Sequence, residues 1–308
     1  MASHWHGILV INKERGMTSH KVVANLRHLL RQAEIGHTGT LDPEATGVLV
    51  VGLGQATRSF SFLKEEIKTY RAEIILGQAT DTQDATGKII RENRFSTISY
   101  DTIFQRINQF LGDTYQLPPM YSAVKVDGRK LYDLARQGME VERTPRLIKI
   151  HSWKILNPKL EYGFRDNVFA EITCSKGTYI RTLIHDLGDK LGTGAHMGDL
   201  ARLVSGEFRL EEAMTIAQVQ ESLEQGILSQ QLISINTALA HLPALQLDEE
   251  DLVKVNNGGK ISYQKYYQSA VTGALAKVLD PADRVVAIVE LQDAGTHQYW
   301  QPVKVFRY

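Results

Sequence analysis

Residues 36–54 read G-H-T-G-T-L-D-P-E-A-T-G-V-L-V-V-G-L-G. Up to Gly47 the stretch follows neither a helical nor an alternating pattern. Its glycines supply backbone freedom, and Pro43 fixes the turn straight after Asp42. The apolar run 48–54 then reads as a buried strand. The Asp42 carboxylate is thus expected in a stiffened loop tied to the core. His37 lies five residues upstream, and Thr38, Thr40 and Thr46 offer hydroxyls for local hydrogen bonds. Such a setting suits an aspartate held in one geometry as a nucleophile or base. An Asp-Pro turn that only caps a loop fits the same residues.

The rest of the chain is ordinary in composition. It has 308 residues, 43% hydrophobic and 23% charged, enough for one large domain or a large and a small one. The 35 Lys and Arg balance the 35 Asp and Glu, which argues against a general nucleic-acid coat protein but leaves room for an RNA enzyme with one positive face. One cysteine, Cys174, excludes an intrachain disulfide and a cysteine-based zinc site. No signal peptide or membrane-length apolar run is found, so a cytoplasmic protein is expected.

Along the chain, G-I-L-V-I-N at 7–12 reads as a first strand. K-E-R-G-M-T-S-H follows at 13–20, where Gly16 turns the chain and Thr18 or Ser19 caps a helix carrying Val22, Val23, Leu26, Leu29 and Leu30 on one side. Ala56–Glu66 reads as a short helix, and K-T-Y-R-A-E-I-I-L-G at 68–77 as a strand with Tyr70 on one face. Tyr70 fits equally as a sheet aromatic with a wet hydroxyl. The polar run 79–87, with Asp81 and Asp84, reads as a solvated hairpin tip, because a calcium loop needs further ligands. A helix is expected over 100–111. P-P-M-Y-S-A-V-K opens a basic segment in which Lys125, Arg129, Lys130 and Arg136 alternate with Tyr121 and Tyr132, a mixture that suits RNA backbone and unstacked bases. Residues 146–157 and 167–175 alternate like strands. They lead to K-G-T-Y-I-R-T-L-I-H-D-L-G at 176–188, a helix opened by a turn at Gly177. Arg181 in that helix is either a surface arginine or a partner for Asp42, since a guanidinium can hold a carboxylate through two parallel hydrogen bonds. A-H-M-G-D-L-A-R-L spans 195–203. Two helical stretches occupy 215–241, L-P-A-L at 242–245 reads as a linker, and short strands separated by N-N-G-G, D-P-A-D and D-A-G-T fill 247–308.

The loop at 36–49, together with the stretches at 13–19, 68–72, 118–125, 176–188 and 195–203, resembles the motifs of the TruB family of bacterial tRNA pseudouridine-55 synthases over most of residues 7–210. One departure is Glu14, where the family carries a proline, and it bears on the local turn. The resemblance implies an α+β pseudouridine synthase fold around a mixed, mainly antiparallel sheet, with the Asp42 loop in a central cleft. Residues 1–240 would be the catalytic domain and 247–308 a small β-rich, PUA-like RNA-binding domain. It implies a base-flipping isomerase for uridine 55 in the TΨC arm of tRNA, with Asp42 as nucleophile or base on the ribose, and without metal or other cofactor. His37 would fill the space left by the flipped base, Tyr70 would stack on it, Leu200 would line its pocket and Arg181 would hold Asp42. Lys13 would support the tyrosine side. A monomer with no obligate protein partner is expected. A guide-RNA-dependent synthase, or a tRNA-binding and folding protein with secondary modification activity, would share the motifs.

Overall fold

The computed structural model describes residues 5–308 apart from 65, 123, 127, 267–269 and 296. The chain divides into two compact units, one of Met1–Pro43, Leu49–Lys64 and Glu211–Tyr308, the other of Glu44–Val48 and Glu65–Leu210.

In the first unit, β1 (Gly7–Lys13) leads through a turn to α1 (Ser19–Leu30), then β2 (Ile35–His37) and β3 (Thr46–Leu53), whose first residues belong to the second unit. The cap anticipated at Thr18 is made: its side chain accepts from the Lys21 amide, and Arg31 ends the helix in the left-handed region at φ 51°. Val22, Val23, Leu26 and Leu30 are buried against Leu9, Ile11 and the apolar residues of β3. Where a short helix is expected over Ala56–Glu66, the chain forms a 3-10 helix over Gly54–Phe62. Thr57 and Ser59 hydroxyls donate to the carbonyls three residues back, which favours the tighter winding.

The same unit carries a five-stranded sheet in the order Ala244–Gln246, Leu275–Leu279, Val285–Asp293, Gln298–Val305, Ile261–Ser262. The segment 242–245, expected as a linker, therefore supplies an edge strand, pairing parallel with Leu275–Leu279. Its pairing partner is some thirty residues on, so three residues of local sequence could not show it. Lys277 is buried and its ammonium donates to the carbonyls of Asn236 and Leu239, tying the sheet to the end of a short helix (Ile235–Ala238).

A helix over Glu249–Asn256 packs on that sheet, capped by Asp248. Within it the buried Asp251 carboxylate accepts from Lys254 (2.9 Å), Lys265 (2.8 Å) and the Tyr266 hydroxyl (2.5 Å). The bonds from Lys265 and then Tyr266 hold its pKa well below the carboxylate range against the effect of burial. A depressed carboxylate stabilises the fold above its unfolded value of about 3.9 and loses that contribution as pH falls toward the folded value. Asp251→Asn should therefore cost about 1–3 kcal/mol at pH 7, and progressively less as pH is lowered from about 4 to 2. Thermal melts across that range check it, and a pH-independent difference between the two proteins would contradict the assignment.

In the second unit, the opening residues of β3 run parallel to β8 (Ala195–Ser205), with Thr46 opposite Ala201 and Gly47 opposite Arg202. The order continues β8, β4 (Ile67–Leu76), β7 (Asn167–Ser175), β6 (Arg146–Ile155), β5 (Gly112–Gln116), all antiparallel neighbours. The sheet is thus mixed and mainly antiparallel. Alternation in β4 buries Tyr70, Ala72, Ile74 and Leu76 on one face. Against β4 and β8 packs α2 (Ile180–Leu191) through Ile180, Leu183, Ile184 and Leu187. Gly188 is required there, because a Cβ would lie 2.1 Å from the Ala195 nitrogen. With helices on a mixed sheet and no strict βαβ rhythm, the architecture is α+β. Of the basic segment, the side chains of Lys125 and Lys130 lie outside the described residues.

Candidate active site

The Asp42 loop is fixed on both sides of the carboxylate. Upstream, the Leu41 amide donates to the buried Ser19 hydroxyl (2.9 Å), which donates back to the Leu41 carbonyl (3.2 Å). Downstream, the Pro43 carbonyl accepts from the Gly16 amide (2.9 Å) and the Lys13 ammonium (2.9 Å). Leu41 and Ala45 sink into the core while Asp42 is half-buried and Pro43 and Glu44 are exposed. Gly16 takes φ 76°, so the turn forms with Glu14 in the position of the family's proline. Ser19 thus holds both backbone groups of Leu41 from the first turn of α1.

Lys13 is fully buried, and its ammonium also donates to the Glu14 and Met17 carbonyls. A buried ammonium is tolerated only when so surrounded. Lys13→Met removes the donor from three carbonyls at once. It should cost about 2–4 kcal/mol, lowering the thermal midpoint and releasing the Asp42 loop. Amide exchange at residues 40–46 reports the release, and unchanged protection there would count against this anchoring.

His37 ends β2 opposite Val51, its ring edge-on to His20 at 5.4 Å. Lys13, His37 and Asp42 belong to the first unit; Tyr70, Arg181 and Leu200 belong to the second. Within the second unit the sheet brings Tyr70 and Leu200 to one face. Tyr70 on β4 is opposite Arg202 of β8 and Ile172 of β7, and Leu200 is opposite Ala72. Both are buried, at 7% and 8% exposure. The Leu200 carbonyl accepts from the Thr46 hydroxyl at 3.4 Å.

Arg181 lies in the first turn of α2 and is 5% exposed, so it is no surface arginine. It donates to the Thr82 carbonyl (3.2 Å) and the Tyr121 carbonyl (3.0 Å), and pairs with the Asp84 carboxylate at 3.8 Å. The start of α2 is itself clamped, because the Gln116 side chain accepts from the Tyr179 amide and donates to its carbonyl.

The hairpin expected here is formed, Gln78–Thr80 pairing antiparallel with Ile89–Glu92, but these contacts pack part of a tip expected to be solvated. Asp84 accepts from the Thr82 hydroxyl and from the amide and hydroxyl of Thr86. The Ala85 amide donates to the Met197 carbonyl, the Met197 amide to the Gln83 carbonyl, and the Thr182 hydroxyl to the Gln83 side chain. The threonines and Asp84 form a self-bonded turn fitted between α2 and β8. The T-D-T-Q-D-A-T pattern signals such a turn, but not what it packs against.

Sequence reasoning also missed Arg202. It is 2% exposed on β8, and its Nε donates to the Val48 carbonyl at 2.7 Å. A Cβ on Gly47 (φ 96°) would sit 2.2 Å from the Arg202 carbonyl oxygen, so only glycine lets the strands meet there. A basic residue inside an alternating strand was the available signal. Cys174 is buried, and burial pushes its thiol up to about 11. Among the described residues no cluster of His, Cys, Asp or Glu is arranged to hold a metal ion, and no helix is long and apolar enough to cross a membrane.

A family model described as TruB family pseudouridylate synthase (N terminal domain) matches residues 27–180, and one for the tRNA pseudouridylate synthase B C-terminal domain matches 181–240. The tRNA pseudouridine synthase B of Bacillus pumilus is 41% identical over 284 residues, 92% of each chain. That of Bacillus cytotoxicus is 43% identical over 254 residues, 82% of this chain and 83% of its own. Two solved structures share the fold at a TM-score of 0.72. One is an H/ACA RNP bound to a substrate RNA containing 2′-deoxyuridine (25% identity, 98% of this chain, 86% of that one). The other is a Cbf5-Nop10-Gar1 complex (27% identity, 98% and 84%).

Proposed function

We propose that this chain, which belongs to the TruB family of pseudouridylate synthases, isomerises uridine 55 in the TΨC arm of tRNA with Asp42 as the group that acts on the ribose. The reading is carried by the loop that holds Asp42, clamped at Leu41 by Ser19 and at Pro43 by Lys13 and Gly16. A carboxylate fixed in this way is preorganised for attack on a sugar carbon.

In the reaction the N1–C1′ bond breaks, the uracil turns, and a C5–C1′ bond forms. The C5 proton is lost to solvent and N1 gains one, so the atoms balance without redox chemistry. Asp42 either attacks C1′ or removes a proton from its neighbour C2′; both need the ionised carboxylate. Arg181 holds that carboxylate. The stacked base must leave the folded arm, at a cost of a few kcal/mol. His37 fills the vacated space, Tyr70 stacks on the extruded uracil and Leu200 lines its edge. Phosphate contacts from Lys and Arg supply affinity, while the shape of the arm supplies selectivity.

Relatives above 40% identity are named for tRNA, whereas the H/ACA RNP and Cbf5-Nop10-Gar1 structures match at 25–27%, which favours tRNA as the substrate. The test uses the purified chain alone with a tRNA transcript tritiated at uracil C5. Tritium release mapped to position 55, and its absence from a transcript carrying cytidine there, is the expected result. No release without added protein or guide RNA would overturn the reading.

A further inference from the structure

β8 and β4 lose count of each other once on the way to Leu200. Met197 is opposite Ile74, but Leu200 is opposite Ala72, so three steps along β8 match two along β4. This is a β-bulge at Gly198–Asp199. Its consequence is a matter of parity. Side chains alternate faces with period two, so without the extra residue Leu200 would stand opposite Arg71, on the face away from Tyr70. The bulge turns Leu200, and Arg202 after it, onto the buried face that carries Tyr70 and Ala72.

A side chain of β4 bonds to the bulge. The Glu73 carboxylate accepts from the Asp199 amide at 2.9 Å and from the Asn167 side-chain amide at 2.6 Å. Gly198 leaves it room, since a Cβ there would lie 2.3 Å from Glu73 Oε2. The bulge thus bonds through a backbone amide to a carboxylate of the neighbouring strand.

We propose that Glu73 is a positioning residue for uridine isomerisation, pinning the Gly198–Asp199 bulge so that Leu200 is presented on the side of the sheet that carries Tyr70. The inference rests on the reading of Leu200 as a side chain that meets the target base. Glu73 lies on the other face and touches no substrate in this scheme; it acts only through the register of β8.

The experiment compares Glu73→Ala, Glu73→Gln, Leu200→Ala and the Glu73→Ala/Leu200→Ala pair. Single-turnover rate and affinity are measured on a tritiated TΨC stem-loop, and the Ala72–Leu200 methyl NOE with Asp199 amide exchange by NMR. Directly opposed residues have Cβ atoms about 5 Å apart, close enough for that NOE. Glu73→Ala should slow the single turnover by roughly 10–100-fold with affinity changed less than about twofold. It should also lose the NOE and the Asp199 protection. Glu73→Gln should restore all three, because its amide oxygen still accepts from Asp199 and Asn167 can present its own oxygen after a flip. On the Leu200→Ala background, Glu73→Ala should add less than about twofold. The proposal is overturned if Glu73→Ala keeps the NOE and the slow amide. It is overturned equally if both are lost while turnover is unchanged and Leu200→Ala is slow. If both are lost and both variants turn over normally, the role of Leu200 has failed, and that of Glu73 with it.

Discussion

Asp42→Asn should bind tRNA as tightly as the unaltered protein, or slightly more tightly, and turn it over slower by roughly 10⁴–10⁶-fold. The substitution keeps size and shape, and the loop clamps at Leu41 and Pro43 use backbone and the Ser19 and Lys13 side chains, none of which it touches. What it removes is the charge that acts on the sugar and that repels phosphate. His37→Ala serves as the contrast. It takes away a group assigned to the gap left by the flipped base, not one that makes or breaks bonds, so turnover should fall only in part. Tritium release under single turnover, beside filter binding, separates the two effects. Comparable activity in Asp42→Asn and the unaltered protein would falsify the mechanism. An equal loss in both variants would move His37 into the chemistry.

Arg181→Lys should be the second-largest loss, roughly 10²–10³-fold in turnover, despite the retained charge. The guanidinium is buried and spreads its N–H groups over the Thr82 carbonyl, the Tyr121 carbonyl and the Asp84 carboxylate. A lysine brings a compact ammonium on a flexible stem, which cannot reach these partners in a planar fork. Asp84 then sits partly buried without its planar partner, and the 80–86 turn loses its hold on α2. Asp84→Asn should consequently show a milder version of the same defect, with rate affected more than affinity. Kinetics of both variants and a melt of each are the measurements. An Arg181→Lys protein with full turnover would remove Arg181 from the site.

The local parts of this protein were legible because their signals are local. The Thr18 cap and the apolar spacing of Val22, Val23, Leu26 and Leu30 fall within a few turns of chain, and so α1 appears where its pattern put it. Alternation gave β4, β6 and β7 to within a residue or two, and with β4 the face on which Tyr70 lies. The Asp42 loop declared its stiffness through Pro43 and its glycines. The resemblance of its motif to a family then supplied chemistry that the residues alone left open between a catalytic loop and a capped turn.

The sequence by itself thus determined the elements, the α+β class and the residues that carry the family's motifs. The tertiary structure decided what holds them: Lys13 on a carbonyl 30 residues away, Gln116 on Tyr179 63 away, Arg181 on Thr82 99 away and Arg202 on Val48 154 away. It also made a strand of residues 244–246, a packed turn of residues 79–87, and a bulge that selects the face of Leu200. Propensity and periodicity act over a turn or a strand, whereas the partner of a buried polar group or an edge strand is chosen by whichever distant segment the fold brings alongside. That choice leaves no mark in the local pattern.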